Sequence, residues 1–170
     1  PYPFPSLPEE LSFAVFTFDF RGYGESEGSG GRDTHILDAR AAYTAAAALP
    51  GVDSALIAGI GASIGADGVA DGCNDACIAA LSLGPGNWLE MSYTEAVKAV
   101  DDLGKPVWCV AAEDDETAVQ TCGAAAGEYY QTQIYPSGGH AMRLFRIENN
   151  LQPAIEAVIL DYLRVVFGLP

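Results

Sequence analysis

The sequence predicts an α/β fold, a mostly parallel sheet with helices on both faces. Short apolar runs recur along the chain, as buried strands do. Ala-rich or amphipathic stretches separate them and suit helices. One junction between such elements reads Gly61-Ala-Ser-Ile-Gly65, a Gly-x-Ser-x-Gly turn set between a strand and a helix. Strands alternating with helices imply a parallel sheet covered on both sides.

Taken in order, residues 1–10 are Pro-rich and read as an irregular entry. Leu11-Ser-Phe-Ala-Val-Phe-Thr-Phe-Asp-Phe20 reads as a buried strand, from its β-branched and aromatic residues. Residues 21–32 form a Gly-dense loop. Asp33 or Thr34 caps a slim, Ala-rich helix that ends before Pro50-Gly51. The run ending at Gly61 is the next strand, followed by the turn at Ser63 and a small-residue helix. Residues 77–84 are the third strand, and a loop and helix fill 85–105. Residues 106–112 are the fourth strand, and Glu113-Asp-Asp-Glu116 is an acidic loop. A helix over 117–127 and a fifth strand over 129–135 follow. Pro136-Ser-Gly-Gly-His140 is a turn. An amphipathic helix from Asn150 to Phe167 carries Ile155, Ile159, Leu163 and Val166 on one stripe. No repeat or linker divides the chain, so residues 1–170 read as one domain.

Composition narrows the function classes. A net charge of −15 argues against nucleic acid and anionic membrane surfaces as partners. No apolar run reaches the roughly 20 residues needed to span a bilayer. Cys73, Cys77, Cys109 and Cys122 permit two disulfides, with Cys73–Cys77 and Cys109–Cys122 a plausible pairing. That framework points to an oxidising, extracytoplasmic compartment. Their spacing and the two histidines do not make a zinc site.

The chemistry starts at Ser63. A sharp turn holds its hydroxyl above the sheet edge, and the glycines at 61 and 65 remove side chains that would block the turn. The new helix aims free N–H groups at the site, that of Ile64 first. A serine needs a base. His140 stands on a loop past a strand at the same sheet edge, whereas His35 falls in the first turn of a helix and reads as a solvated surface residue. The carboxylate that orients the base is Asp114 or Asp115. The order Ser, Asp, His is the order of α/β-hydrolases. A second match, Gly24-Glu-Ser-Glu-Gly28, lies well past its strand, opens no helix and flanks Ser26 with glutamates, so it is rejected.

With these residues in place, the chain resembles the α/β-hydrolase family, closest to small serine esterases and the dienelactone hydrolase-like branch. Asp19-Phe-Arg-Gly-Tyr-Gly-Glu-Ser26 resembles the segment after the family's fourth strand, Gly61–Gly65 its nucleophile elbow, Ala112-Glu-Asp-Asp115 its acid loop and Gly138-Gly-His140 its base loop. The resemblance favours Asp115 over Asp114, and Ser63 stands where the dienelactone hydrolase branch has Cys. It begins only at the fourth strand. The family's first three strands, and the loop giving one oxyanion-hole N–H, have no counterpart, so an N-terminally incomplete sheet is expected. A missing N-terminal segment or a second copy would complete it, and a fragment of a larger hydrolase is the favoured reading. The segment before Lys105 is too short for a large cap domain. Trp88, Met91 and Tyr93 are candidates for the mouth of an open site.

The expected function is hydrolysis of small-molecule carboxylic esters through Ser63, His140 and Asp115 by an acyl-enzyme, with no metal or organic cofactor implied. The alternatives are an inert binding protein of the same fold, or an amidase, peptidase or acyltransferase using the same residues.

Overall fold

The computed structural model describes residues 13–73 and 75–169. Four strands form one parallel sheet: β1 (Ala58–Ala62), β2 (Ala79–Leu83), β3 (Val107–Ala112) and β4 (Tyr130–Tyr135), in that spatial order. The register sets Gly61 opposite Ser82, Leu81 opposite Trp108 and Cys109 opposite Thr132. The helices are α1 (Arg32–Ala47), α2 (Ile64–Gly72), α3 (Tyr93–Asp101), α4 (Glu116–Ala124) and α5 (Ile155–Phe167).

Strand alternation divides the core between two faces. On one, Ala80, Val107, Cys109 and Ala111 pack with Tyr43 of α1, Ala70 of α2, Val97 of α3 and Ala118 of α4. On the other, Leu81, Leu83, Val110 and Ala112 meet Ile155, Ile159, Tyr162 and Leu163 of α5. Disulfides join Cys73 to Cys77 and Cys109 to Cys122, the pairing expected from their spacing.

The N-terminal strand is a correction. Leu11 and Ser12 lie outside the described residues, and Phe13–Phe20 forms no strand. Val15 is 62% exposed, and Phe16 and Phe18 are also exposed. The physical reason is that a strand needs a neighbour to take its backbone hydrogen bonds, and among the described residues β1 pairs with β2 alone. Phe13 packs on Phe167, and Phe20 packs on His35 and Phe18.

Two helix starts also differ from expectation. The N-cap of α1 is Gly31, whose N–H donates to Thr34 Oγ1 over 2.7 Å, so Thr34 acts from inside the first turn. Helix α5 begins at Ile155 and not at Asn150. Asn150 adopts a left-handed φ of 47°, and Gln152 precedes a proline, which steers it away from the helical region.

Candidate active site

Ser63 occupies the corner between β1 and α2 with φ 56° and ψ −121°, a strained conformation for a residue with a side chain. The corner is held on both sides. Ser63 N–H donates to Leu83 O of β2 over 2.9 Å, and Ser63 O accepts from Ala66 N–H over 2.8 Å. Gly61 is required here, because a Cβ on it would collide with the Gly65 carbonyl oxygen. Gly65 corrects the sequence reading: a Cβ there would meet nothing within 4 Å. Its freedom from a side chain is not what permits the turn. Ile64 is the first residue of α2, so its N–H has no carbonyl of its own helix to bond.

Asp115 and His140 arrive from the same edge of the sheet. Strand β3 ends at Ala112, whose carbonyl accepts from Asp115 N–H over 2.8 Å. The tight turn sets Asp115 at the N-cap of α4. Strand β4 ends at Tyr135, and a short turn brings His140 back over the sheet edge.

The three side chains meet in a line. His140 Nε2 is 2.8 Å from Ser63 Oγ, and His140 Nδ1 is 2.6 Å from Asp115 Oδ2. Chemically, such a line can draw the proton from a serine hydroxyl while a carboxylate stabilises the imidazolium. A cavity of about 400 Å³ opens over Ser63 and His140, lined also by Ala62, Ala141, Met142, Arg143 and Arg146. Among the described residues, no group of three His, Cys, Asp or Glu side chains could hold a metal ion, and no helix is long and apolar enough to cross a membrane.

Asp114 and Asp115 part company here. Asp114 accepts from Gly138 N–H at 3.1 Å and from Gly139 N–H at 2.9 Å, and its carboxylate does not bond the imidazole. Those backbone donors hold its carboxyl below the usual range.

Two further expectations are corrected, and one rejection stands. Trp88, Met91 and Tyr93 do not line the cavity. Tyr93 is buried in the core, Met91 packs against the same cluster, and Trp88 is tied by its N–H to Asp67 over 2.6 Å. His35 is not a solvated surface residue. It is 5% exposed and packs edge-on against Phe20, because α1 turns this face onto the loop. Ser26, rejected from the sequence, donates its hydroxyl to Asp19 O over 2.8 Å, and no helix follows it until α1.

The sequence reading missed Asp67. It is 2% exposed, and its carboxylate accepts from Trp88 N–H and from Gly86 N–H, binding the loop after β2 to α2. Burial pushes its carboxyl up. The signal was its spacing, four residues beyond Ser63 and so one helical turn along the same face. Arg143 and Arg146 were missed as cavity residues too, though they follow His140 at intervals of three.

Solved structures with this architecture are α/β-hydrolase-fold proteins, esterases among them, and the chain has that fold. A Pyrococcus furiosus esterase superposes with a TM-score of 0.64 at 17% identity, over 87% of this chain and 68% of that one. A lipase-esterase related protein from Clostridium acetobutylicum gives 0.55 at 15% identity, over 84% and 81% of the two chains. Puromycin hydrolase gives 0.59 at 17% identity over 81% of this chain, which spans only 26% of that larger protein. No protein-family model matches the sequence, and no curated protein does.

Proposed function

We propose that the protein is a serine hydrolase of carboxylic esters. The observation that carries this reading is the unbroken line from Ser63 Oγ through His140 to Asp115 Oδ2, with contacts of 2.8 and 2.6 Å.

Ser63 Oγ attacks the ester carbonyl carbon as His140 Nε2 takes its proton. Asp115 keeps the Nδ1 proton of His140 facing away from the serine and stabilises the imidazolium. The Ile64 N–H donates to the oxyanion, aided by the start of α2. On collapse the bond to the alkoxy oxygen breaks, and His140 gives its proton to the departing alcohol. Water then attacks the acyl-enzyme with His140 again as base. The acyl–Oγ bond breaks, the acid leaves, and Oγ recovers its proton. The open cavity, with no cap domain over it among the described residues, suits a small ester. Esterases among the structural neighbours are consistent with the ester reading.

A short-chain p-nitrophenyl ester, its anilide analogue and a fluorophosphonate probe test the proposal together. Ester turnover, probe adduct on Ser63 and loss of both in Ser63→Ala are the expected results. Absence of turnover and of labelling in the folded protein overturns it. Faster cleavage of the anilide shifts the substrate class to amides.

A further inference from the structure

We infer that Asp114 is a positioning residue for His140 that clamps the base loop to the acid loop, while Asn149 braces the base loop from its other side. The inference rests on the reading of Ser63, His140 and Asp115 as the reacting groups, and it adds a role outside them.

The residue that follows β3 just before the acid spends both its carboxylate oxygens on the loop that carries the base. Asp114 Oδ1 accepts from Gly138 N–H at 3.1 Å and from Gly139 N–H at 2.9 Å, and Oδ2 lies 3.2 Å from Gly138 N. The opposite side of the same loop is held by a second residue. Asn149 Nδ2 donates to Gly138 O at 3.0 Å and to Arg143 O at 2.8 Å. Gly138 is thus gripped through its N–H by one side chain and through its C=O by another. His140 lies two residues on.

The loop has little slack between these anchors. Gly139 has φ 73°, and Ala141 has φ 51°, a conformation that an L-residue holds only when its surroundings impose it. Ala141 is 4% exposed and backs onto Gly84, where an added Cβ would come within 2.9 Å of the Ala141 nitrogen. The two aspartates therefore act on one histidine by different routes. Asp115 bonds the ring, while Asp114 bonds the backbone that delivers it. Both come from one turn at the end of β3, so the distance from acid to base is set by a single rigid unit. A misplacement of about 1 Å in such a site costs on the order of 10²-fold in rate.

The test compares Asp114→Ala and Asp114→Asn with the parent protein. An amide oxygen can still accept one loop N–H, whereas alanine accepts none. In Asp114→Ala we expect kcat for the p-nitrophenyl ester to fall about 10- to 100-fold with KM within about twofold, and Asp114→Asn to recover most of the loss. The His140 Nδ1 proton resonance, identified by its absence in His140→Ala, should stay sharp in Asp114→Asn and broaden in Asp114→Ala. Parental kcat and an unchanged resonance in Asp114→Ala overturn the inference. So does an Asp114→Asn as slow as the alanine variant, since charge and not anchoring would then be responsible. If the parent protein turns over no ester and Ser63 takes no probe, the hydrolase reading fails separately. The Nδ1 resonance then decides the clamp alone, broadening in Asp114→Ala supporting it and no change overturning it.

Discussion

Asp115 Oδ2 lies 2.6 Å from His140 Nδ1, and Oδ1 of the same carboxylate accepts from Ala118 N–H at the start of α4. One side chain therefore serves both the imidazole and a helix cap. The two duties separate on mutation. Asparagine is as good a cap as aspartate, but as an amide it misdirects the imidazole tautomer. Asp115→Asn should lower kcat by about 10⁴-fold while holding Tm close to the parent value. Asp115→Ala should lose comparable activity and, in addition, about 1 kcal/mol of stability. Ester kinetics beside thermal unfolding of the two variants checks this, and an active Asp115→Asn would remove Asp115 from the reaction.

The elbow glycines give an asymmetric prediction. A Cβ at 61 meets the Gly65 carbonyl oxygen and lies 2.9 Å from Ala66 N, both backbone atoms that cannot swing aside. Gly61→Ala should cost about 1–3 kcal/mol, the usual penalty of overpacking, and displace Ser63. Gly65→Ala finds open space on a helical residue and should be neutral or add up to about 1 kcal/mol through helix propensity. Urea unfolding of the pair measures it. Equal effects at both positions would refute the steric account of the corner.

How far this site was legible depended on whether a residue's job is local. Ser63 announces itself because the strand, the tight turn and the helix start all lie within a few positions, and Asp115 and His140 follow because parallel strands end on one edge. Between Asp114 and Asp115 the residues alone could not choose, since the choice lies in which carboxylate faces the ring and which faces Gly138 and Gly139. The burial of His35 is not legible in the sequence, because it comes from Phe20 and Tyr23, on a loop whose path no periodicity encodes. Phe13–Phe20 has the composition of a strand, and composition reports what a segment could pair with, not whether a partner lies beside it. Residue type alone points to Trp88 and Met91, whereas the cavity is built by the backbone turn that follows His140.

The disulfide between Cys109 and Cys122 spans the turn that carries Asp115. It fastens β3 to α4 across a separation of 13 residues, with Asp114 and Asp115 inside the closed loop, and both cysteines are fully buried. Closing a loop of that size stabilises by about 3 kcal/mol in the chain-entropy view. The Cys109→Ala/Cys122→Ala double variant should therefore lose about 2–4 kcal/mol in urea unfolding. It should also lose ester activity at temperatures where it is still folded, because the acid loop is no longer tied at both ends. Wild-type stability in that variant would show the bridge to be energetically idle.

Asp71 makes a pH dependence. It is 7% exposed, accepts from Arg40 Nη2 at 3.2 Å through Oδ1, and its Oδ2 has no hydrogen-bond partner among the described residues. Burial pushes its carboxyl above the usual value, against the opposing pull of Arg40, and Glu90 adds to the rise. A carboxyl whose folded pKa exceeds its unfolded one favours the folded state when protonated. That contribution is complete below the unfolded pKa of about 3.9 and is lost as pH climbs through the folded value. Asp71→Asn keeps an oxygen for Arg40 and has no proton to lose. The stability of the parent protein minus that of Asp71→Asn should therefore decline as pH rises above the unfolded value of about 3.9. Taking the difference cancels Asp38 and Asp114, whose depressed carboxyls act in the opposite sense. Urea unfolding of both proteins at stepped pH measures it, and a flat difference would mean that the Arg40 pairing fully offsets the burial of Asp71.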